Sequence, residues 1–320
     1  MEFATACLSI LIADLVLGVV LLVAGGVAAL CRFSFRKFWK YAWWLLLVPP
    51  AAMCYGIVVE RNCFKVNDVE ISDENIPESF DGYRIVQISD IHLRSFENRH
   101  KALQRAVDKI MAQNPDIIVF TGDIISLSVD ETQGCMEILS GLHAPDGVFS
   151  VMGNHDYLTH SRELTEAEKL PEIARLREIE NNAGWKMLEN ERVDIYRPDS
   201  SYISVIGIEN LSASPQFPSY GNLDVALSPA PFKILLSHDP SAWEAFIVGK
   251  TDIDLTLSGH THDMQLALPG FSPSSLFYKQ HKGLYEENGQ YLYVNIGLGE
   301  TIFPARIGAR PEITVLVLKR

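Results

Sequence analysis

Five times in this chain an apolar run stops abruptly at aspartate, asparagine or histidine, and that punctuation constrains the fold more than any other feature. Residues 83–88 run into Ser89-Asp90-Ile91-His92, residues 117–120 into Gly122-Asp123, and residues 148–152 into Gly153-Asn154-His155-Asp156. Further on, residues 232–236 lead to Ser237-His238 and residues 253–257 to Gly259-His260-Thr261-His262. Short runs rich in Val and Ile, bounded by glycine and polar residues, predict strands. Ile117-Ile118-Val119-Phe120, apolar at every position, predicts one buried on both faces. Residues 98–113 have helical spacing through Leu103, Val107 and Ile110 and end at Asn114-Pro115-Asp116, so the first two strands form a βαβ unit. The same reading predicts helices over residues 132–142 and 162–182, and an antiparallel portion among the short strands between 185 and 208. Such alternation specifies an α/β fold, in which loops at the carboxyl ends of the strands converge on one crevice.

What converges there is a set of metal donors. Carboxylate, amide and imidazole without thiolate suit a borderline-to-hard divalent ion such as Mn²⁺, Fe²⁺ or Zn²⁺. A lone strand-end histidine is more often structural, and Asp90 or Asp123 alone is as readily a turn or cap residue. Five strand ends that all finish in donor types point instead to one site. Asp90, His92, Asp123, Asn154, His238, His260 and His262 are too many for one ion, which implies two, with an aspartate shared at roughly the 4 Å spacing of two-metal hydrolases. The pair His155 and Asp156 reads as catalytic, able to hold and orient a proton. Asp239, followed by Pro240 and a helical run, reads as a cap, and His100, His143, His160 and His281 as surface or packing residues.

The first sixty residues are a different material. Residues 4–30 carry one charge, Asp14, and residues 41–59 carry none; both approach the roughly 20 apolar residues that cross a bilayer. Pro49-Pro50 is expected to kink or break the second segment. Arg32, Arg36, Lys37 and Lys40 lie between the two without an acidic partner, so the positive-inside rule places that loop in the cytoplasm and everything after Glu60 outside it. A twin-arginine-like export signal around Ser34-Phe35-Arg36-Lys37 is an alternative that exports the same domain, although the second arginine is missing. Expected boundaries are a membrane anchor over 1–60, a lead-in over 61–82 and a catalytic domain over 83–320. Residues 1–59 carry +2, four basic against two acidic side chains, so the remainder carries −15 of the total −13. A domain that acidic is not built to bind nucleic acid. Cys63 and Cys135 are the cysteines outside the apolar segments, and one disulfide between them is conceivable.

The ordered blocks Asp90-x-His92, Gly122-Asp123, Gly153-Asn154-His155-Asp156, His238 and Gly259-His260-x-His262 resemble the calcineurin-like metallophosphoesterase family over about residues 83–265. Gly297-Leu298-Gly299, Phe303-Pro304-Ala305-Arg306 and Arg310-Pro311-Glu312-Ile313 resemble its membrane-associated or exported bacterial subgroup. The resemblance implies a four-layer sandwich of two mixed β-sheets flanked by helices, here preceded by two transmembrane helices. It implies one metal on Asp90, His92, Asp123 and His262, and the other on Asp123, Asn154, His238 and His260. His155, oriented by Asp156, would then stand near the leaving group while a metal-bridging hydroxide attacks phosphorus. Two departures touch the pocket rim rather than the donors. Asp263-Met264 stand where the subgroup has two glycines before Gln265, and Arg94 stands where glycine is common; Arg94 is a candidate phosphate contact.

The expected activity is hydrolysis of a phosphate ester, of a lipid headgroup or cell-envelope component if the domain faces outward. The alternatives are a UDP-2,3-diacylglucosamine-type pyrophosphatase, which needs a cytoplasmic site, and a non-catalytic metal- or phosphate-binding membrane protein. A metallo-β-lactamase-type hydrolase would require a His-x-His-x-Asp-His run that the chain lacks.

Overall fold

The computed structural model describes residues 2–161, 163–301 and 303–320. α1 (Glu2–Leu30) is a single apolar rod; the chain turns at Arg32 and comes back through α2 (Phe35–Ala42), a 3₁₀ segment (Trp43–Leu47) and α3 (Val48–Val58). Pro49 and Pro50 occupy the first turn of α3, where a missing N–H group is tolerated. The expected break is therefore only a tightened turn ahead of them. Ala4–Leu30 (27 residues) and Phe35–Asn62 (28 residues) are long and apolar enough to cross a membrane. At 1.5 Å per residue each is about 40 Å long, which exceeds a hydrocarbon core of about 30 Å.

Beyond the rods the chain runs β1 (Lys65–Ser72), β2 (Arg84–Ile88), α4 (His100–Met111), β3 (Ile117–Phe120), α5 (Met136–Leu139), β4 (Val148–Ser150), α6 (Glu166–Asn182) and β5 (Lys186–Met187). It continues with β6 (Glu191–Tyr196), β7 (Tyr202–Gly207), β8 (Lys233–Leu236), β9 (Leu255–Ser258), β10 (Gly283–Glu287), β11 (Gln290–Val294) and β12 (Glu312–Lys319). These strands form two six-stranded sheets, ordered β1-β12-β2-β3-β4-β5 and β10-β11-β9-β8-β7-β6. Both are mixed. The first is parallel except where β12 meets β2; the second is parallel from β11 to β7 and antiparallel at its two ends. The expected antiparallel portion is thus the single pair β6–β7, because β5 joins the first sheet in parallel.

Apolar side chains from both sheets fill the space between them, Ile85, Ile117 and Val119 from one, Ile234, Leu255 and Leu257 from the other. On the outer face of the first sheet α4, α5 and α6 pack Leu103, Leu139 and Leu176. On the outer face of the second a short helical turn packs Trp243. Four layers result, as expected. The helix predicted over 132–142 shrinks to α5, because Gly134 adopts φ 70° and ends the preceding 3₁₀ turn. α6 begins at Glu166 behind a capping box of Thr165 and Glu168; Arg162, the first residue of the predicted helix, lies outside the described residues. Cys63 is exposed, Cys135 is buried, and both are free, so the conceivable disulfide is not formed.

Candidate metal centre

The loops after β2, β3, β4, β8 and β9 meet, and the backbone pays for the meeting. Asp90 (φ 49°), His92 (45°), Asp123 (61°), His260 (73°) and His262 (51°) all lie in the left-handed region, at about 1–2 kcal/mol per residue. Gly153 and Gly259, just ahead of Asn154 and His260, leave no space for a side chain. A Cβ on the first would overlap the Asp123 carboxylate, and one on the second would overlap Ser89 and Asp90.

Asp156 is what organises this region, and here the expectation is corrected. Its fully buried carboxylate accepts four backbone N–H bonds, from Asp123 (2.7 Å), Gly153 (2.8 Å), Ile124 (2.9 Å) and Ile125 (3.2 Å). It therefore ties the β3 and β4 loops together and has no oxygen left to orient His155. That task falls to the Ser126 carbonyl, 2.7 Å from His155 Nδ1. A carbonyl only accepts, so Nδ1 carries the proton and Nε2 is the free nitrogen. Burial and the nearby Asp123 carboxylate push the Asp156 pKa up to about 7, against the pull of the amides.

The donors fall into adjoining groups. His262 Nε2 is 3.2 Å from Asp90 Oδ1 and 3.1 Å from His92 Nε2. Asp123 Oδ2 lies 3.6 Å from His92 Nε2 and 3.2 Å from His238 Nε2, and the latter is 3.3 Å from His260 Nδ1. Asp90, His92 and His262 thus form one possible cation cage and Asp123, His238 and His260 another; His155 stands with His92 and Asp123. Asn154 is buried and its Oδ1 has no hydrogen-bond partner, an orphaned acceptor of the kind a cation satisfies. Burial pulls the pKa of His92 and of His260 down, so both present neutral, lone-pair-bearing rings. At His238 burial also pulls down, but the Asp123 and Asp90 carboxylates outweigh it and hold the pKa at about 10. Burial would raise Asp123, yet the surrounding imidazoles keep it well below the usual carboxylate range. Two ionised carboxylates, the neutral rings of His92 and His260 and an unpaired amide oxygen fit divalent cations, and His238, held protonated by the carboxylates, would give up its proton to an ion bound there.

His238 is braced through Nδ1 by the Thr121 carbonyl (2.7 Å) and His260 through Nε2 by the Tyr278 hydroxyl (2.8 Å), second partners that set ring orientation. Tyr278 and Ser126 were not legible as site residues. Nor was His160, read as surface or packing, whose ring sits 4.3 Å from that of His155. His281 pairs with Asp263 (2.9 Å), as does Lys282 (2.6 Å). Asp263 (φ 50°) and Met264 (φ 49°) both hold left-handed conformations, which explains why glycine is the easier residue there. Asp239 caps the following turn through Ser241 N–H (2.8 Å).

Two cavities flank the donors. One of about 800 Å³ opens beside His260 and His262 against Phe217, Met264, Phe277 and Tyr278. The other, about 220 Å³, joins His155 and Arg94 to Thr5 of α1, and Thr301 lines both. Arg94 therefore faces the same space as His155.

The family described as calcineurin-like phosphoesterase matches residues 83–264. A transmembrane protein with metallophosphoesterase domain from Danio rerio is 34% identical over 86% of this chain, which spans 62% of that relative's length. The uncharacterized metallophosphoesterase YkuE of Bacillus subtilis is 32% identical over 83% of this chain and 89% of its own. The UDP-2,3-diacylglucosamine pyrophosphatase LpxG of Chlamydia trachomatis is 29% identical over 80% and 89%. The family match covers more than half of the chain, which therefore belongs to the calcineurin-like phosphoesterases and is a metal-dependent phosphoester hydrolase.

Proposed function

We propose that this hydrolase is membrane-anchored, uses two divalent ions, and acts on the phosphate ester of a lipid headgroup or another cell-envelope component. The observation that carries the reading is the position of Asp123, whose Oδ2 lies between His92 and His238 and so serves both donor groups. Asp90, His92, Asp123 and His262 would hold one ion; Asp123, Asn154, His238 and His260 the other. Bound there, the ions supply Lewis acidity toward water and phosphoryl oxygen. His155 presents Nε2 to the leaving oxygen as a proton donor when protonated, held in that tautomer by Ser126. Asp156 positions the two loops that carry Asp123 and His155. Arg94 would add a phosphate contact, a reading supported by the cavity wall it shares with His155.

A membrane-bound substrate is supported by Thr5, since the cavity that holds His155 is lined in part by this residue of α1. Arg32, Arg36, Lys37 and Lys40 put the far end of the rods in the cytoplasm and the catalytic domain on the extracytoplasmic side of the inner membrane. An enzyme facing that way has no cytoplasmic nucleotides to draw on. The test is a screen of the full chain with Mn²⁺ over p-nitrophenyl phosphate, its bis ester, and mono-, di- and pyrophosphate esters with and without acyl chains. Absence of all turnover with two ions bound would favour a non-catalytic binding protein instead. A second reading, pyrophosphate cleavage of a lipid-linked nucleotide sugar, is favoured by the 29% identity to LpxG. It requires the opposite orientation. A reporter fused after Arg320 that is active only in the cytoplasm would select it.

A further inference from the structure

In a domain that carries −15, the 15 residues from Met264 to Tyr278 contain no charged side chain. Within them Leu268, Phe271, Leu276 and Phe277 are 56%, 47%, 71% and 72% exposed, far more apolar surface than a solvated loop presents singly. This loop is tied to the membrane rods by an unbroken chain of contacts. Its first residues pair with the 303–307 segment, Ala267 N–H donating to the Ile307 carbonyl (2.8 Å) and Ile307 N–H to the Gln265 carbonyl (2.9 Å). The Gln265 amide donates to the carbonyls of Phe303 (2.6 Å) and Ala305 (2.7 Å). Ala305 in turn is buried against Ala6 of α1 and Met53 of α3, and a Cβ on Gly56 would strike the Arg306 carbonyl. Met53 is seven positions before Glu60, so the 303–305 segment reaches about 10 Å below the end of the second rod. Arg61, at the exit of that rod, donates to the Pro304 carbonyl (3.1 Å) and closes the joint.

We infer that the 266–277 loop is a second membrane contact, dipping into the interface of the same bilayer that the rods cross. The large cavity beside His260 and His262, walled by Met264 and Phe277, then opens at the lipid surface and not to bulk water. A phosphoester substrate keeps its apolar part in the bilayer while its phosphoryl group reaches the donors. Apolar side chains in an uncharged loop gain most at the depth of the headgroup and acyl boundary. The inference rests on the membrane-anchored reading above, and the experiment separates the two.

The full chain is reconstituted into vesicles of phosphatidylcholine and phosphatidylglycerol with p-benzoylphenylalanine at one site at a time: Leu276→p-benzoylphenylalanine or Phe271→p-benzoylphenylalanine in the loop, Val19→p-benzoylphenylalanine mid-way along α1, and Leu227→p-benzoylphenylalanine on an exposed surface elsewhere. All four positions are exposed, so the probe does not disturb packing. The expected result is lipid adducts from Val19, Leu276 and Phe271, at least about tenfold above those from Leu227. Adducts from Val19 alone overturn the loop contact and leave the anchor standing. Adducts from none of the four overturn the anchor and the inference with it. Adducts from the loop to a second copy of the chain replace the bilayer with a protein partner and also overturn it.

Discussion

The two sheets contribute unequal halves to the metal centre. Strands β2, β3 and β4 of the first sheet lead into every oxygen donor, Asp90, Asp123 and Asn154, together with His92. Strands β8 and β9 of the second lead only into imidazoles, His238, His260 and His262. Neither half is a site alone. The carboxylates of the first sheet are buried beside histidines of the second, and the His260 N–H donates to Asp90 Oδ2 (2.9 Å) across the seam. Just beneath, the Gln87 amide of β2 donates to the Ser258 carbonyl of β9 (2.9 Å). The centre is thus a property of the seam. Charge balance, loop conformation and sheet packing are set together there.

The sharpest way to break this comparison is at the one residue both groups share. Asp123→Asn should lose both ions and cost at least about 10³-fold in turnover, whereas His262→Ala, on the second sheet, should lose mainly one. Metal analysis at saturating Mn²⁺ decides it; an Asp123 variant that keeps one ion at full occupancy would show that the halves do not meet at Asp123. Next in size, His155→Ala should retain two ions and slow turnover by about 10²–10⁴, with less effect on substrates whose leaving group departs unprotonated. His155 stands with His92 and Asp123, so loss of an ion in that variant would move it from proton donor to ligand.

Smaller effects probe the seam and the support behind it. Gln87→Ala removes this cross-sheet bond and leaves the Ser258 carbonyl with the Asn295 N–H (2.9 Å) as its partner, so chemical denaturation should show a loss of about 0.5–1.5 kcal/mol. No change would mean that this bond adds nothing to the packing of the two sheets. Glu180 of α6 is buried behind β4 and accepts the Ser150 hydroxyl (2.6 Å); burial raises its pKa from 4.5 to about 8. A folded-state pKa above the unfolded one means the contribution is fully present below about 4.5 and lost as pH rises through about 8. Glu180→Gln keeps the bond without the proton and should flatten that decline, adding about 1–2 kcal/mol near pH 7. Equal pH dependence of stability in both proteins would rule it out. Glu180 lies behind β4 of the first sheet, so the effect tests the support of the half that carries the oxygen donors.

Much of this was legible in residues 83–265, because donor type, glycine placement and β-branched runs are properties of single residues and their neighbours. Asp90, His92, Asp123, His238, His260 and His262 are brought together where strand ends predicted a crevice, and Asn154 is buried with its Oδ1 unpaired. The roles of Asp156 and Ser126 were not legible. An aspartate beside a histidine reads as its partner in sequence, while the structure spends all of that carboxylate on backbone amides. His160 and Tyr278 carry no local sign of their site contacts, which depend on how their loops fold back.

By itself the sequence determined which donors the chain has, in what order the strands deliver them, and that two apolar rods precede them, since each follows from composition and periodicity along the chain. Only the tertiary structure decided the left-handed backbone at five of the donors, the wall that Thr5 lends to the His155 cavity, and the run of contacts from Ala6 and Met53 through Ala305 to the uncharged loop. Those arise where segments far apart in the chain approach within hydrogen-bond or van der Waals distance. Such approaches are set by the packing of the two sheets and the rods, and not by any neighbourhood of residues.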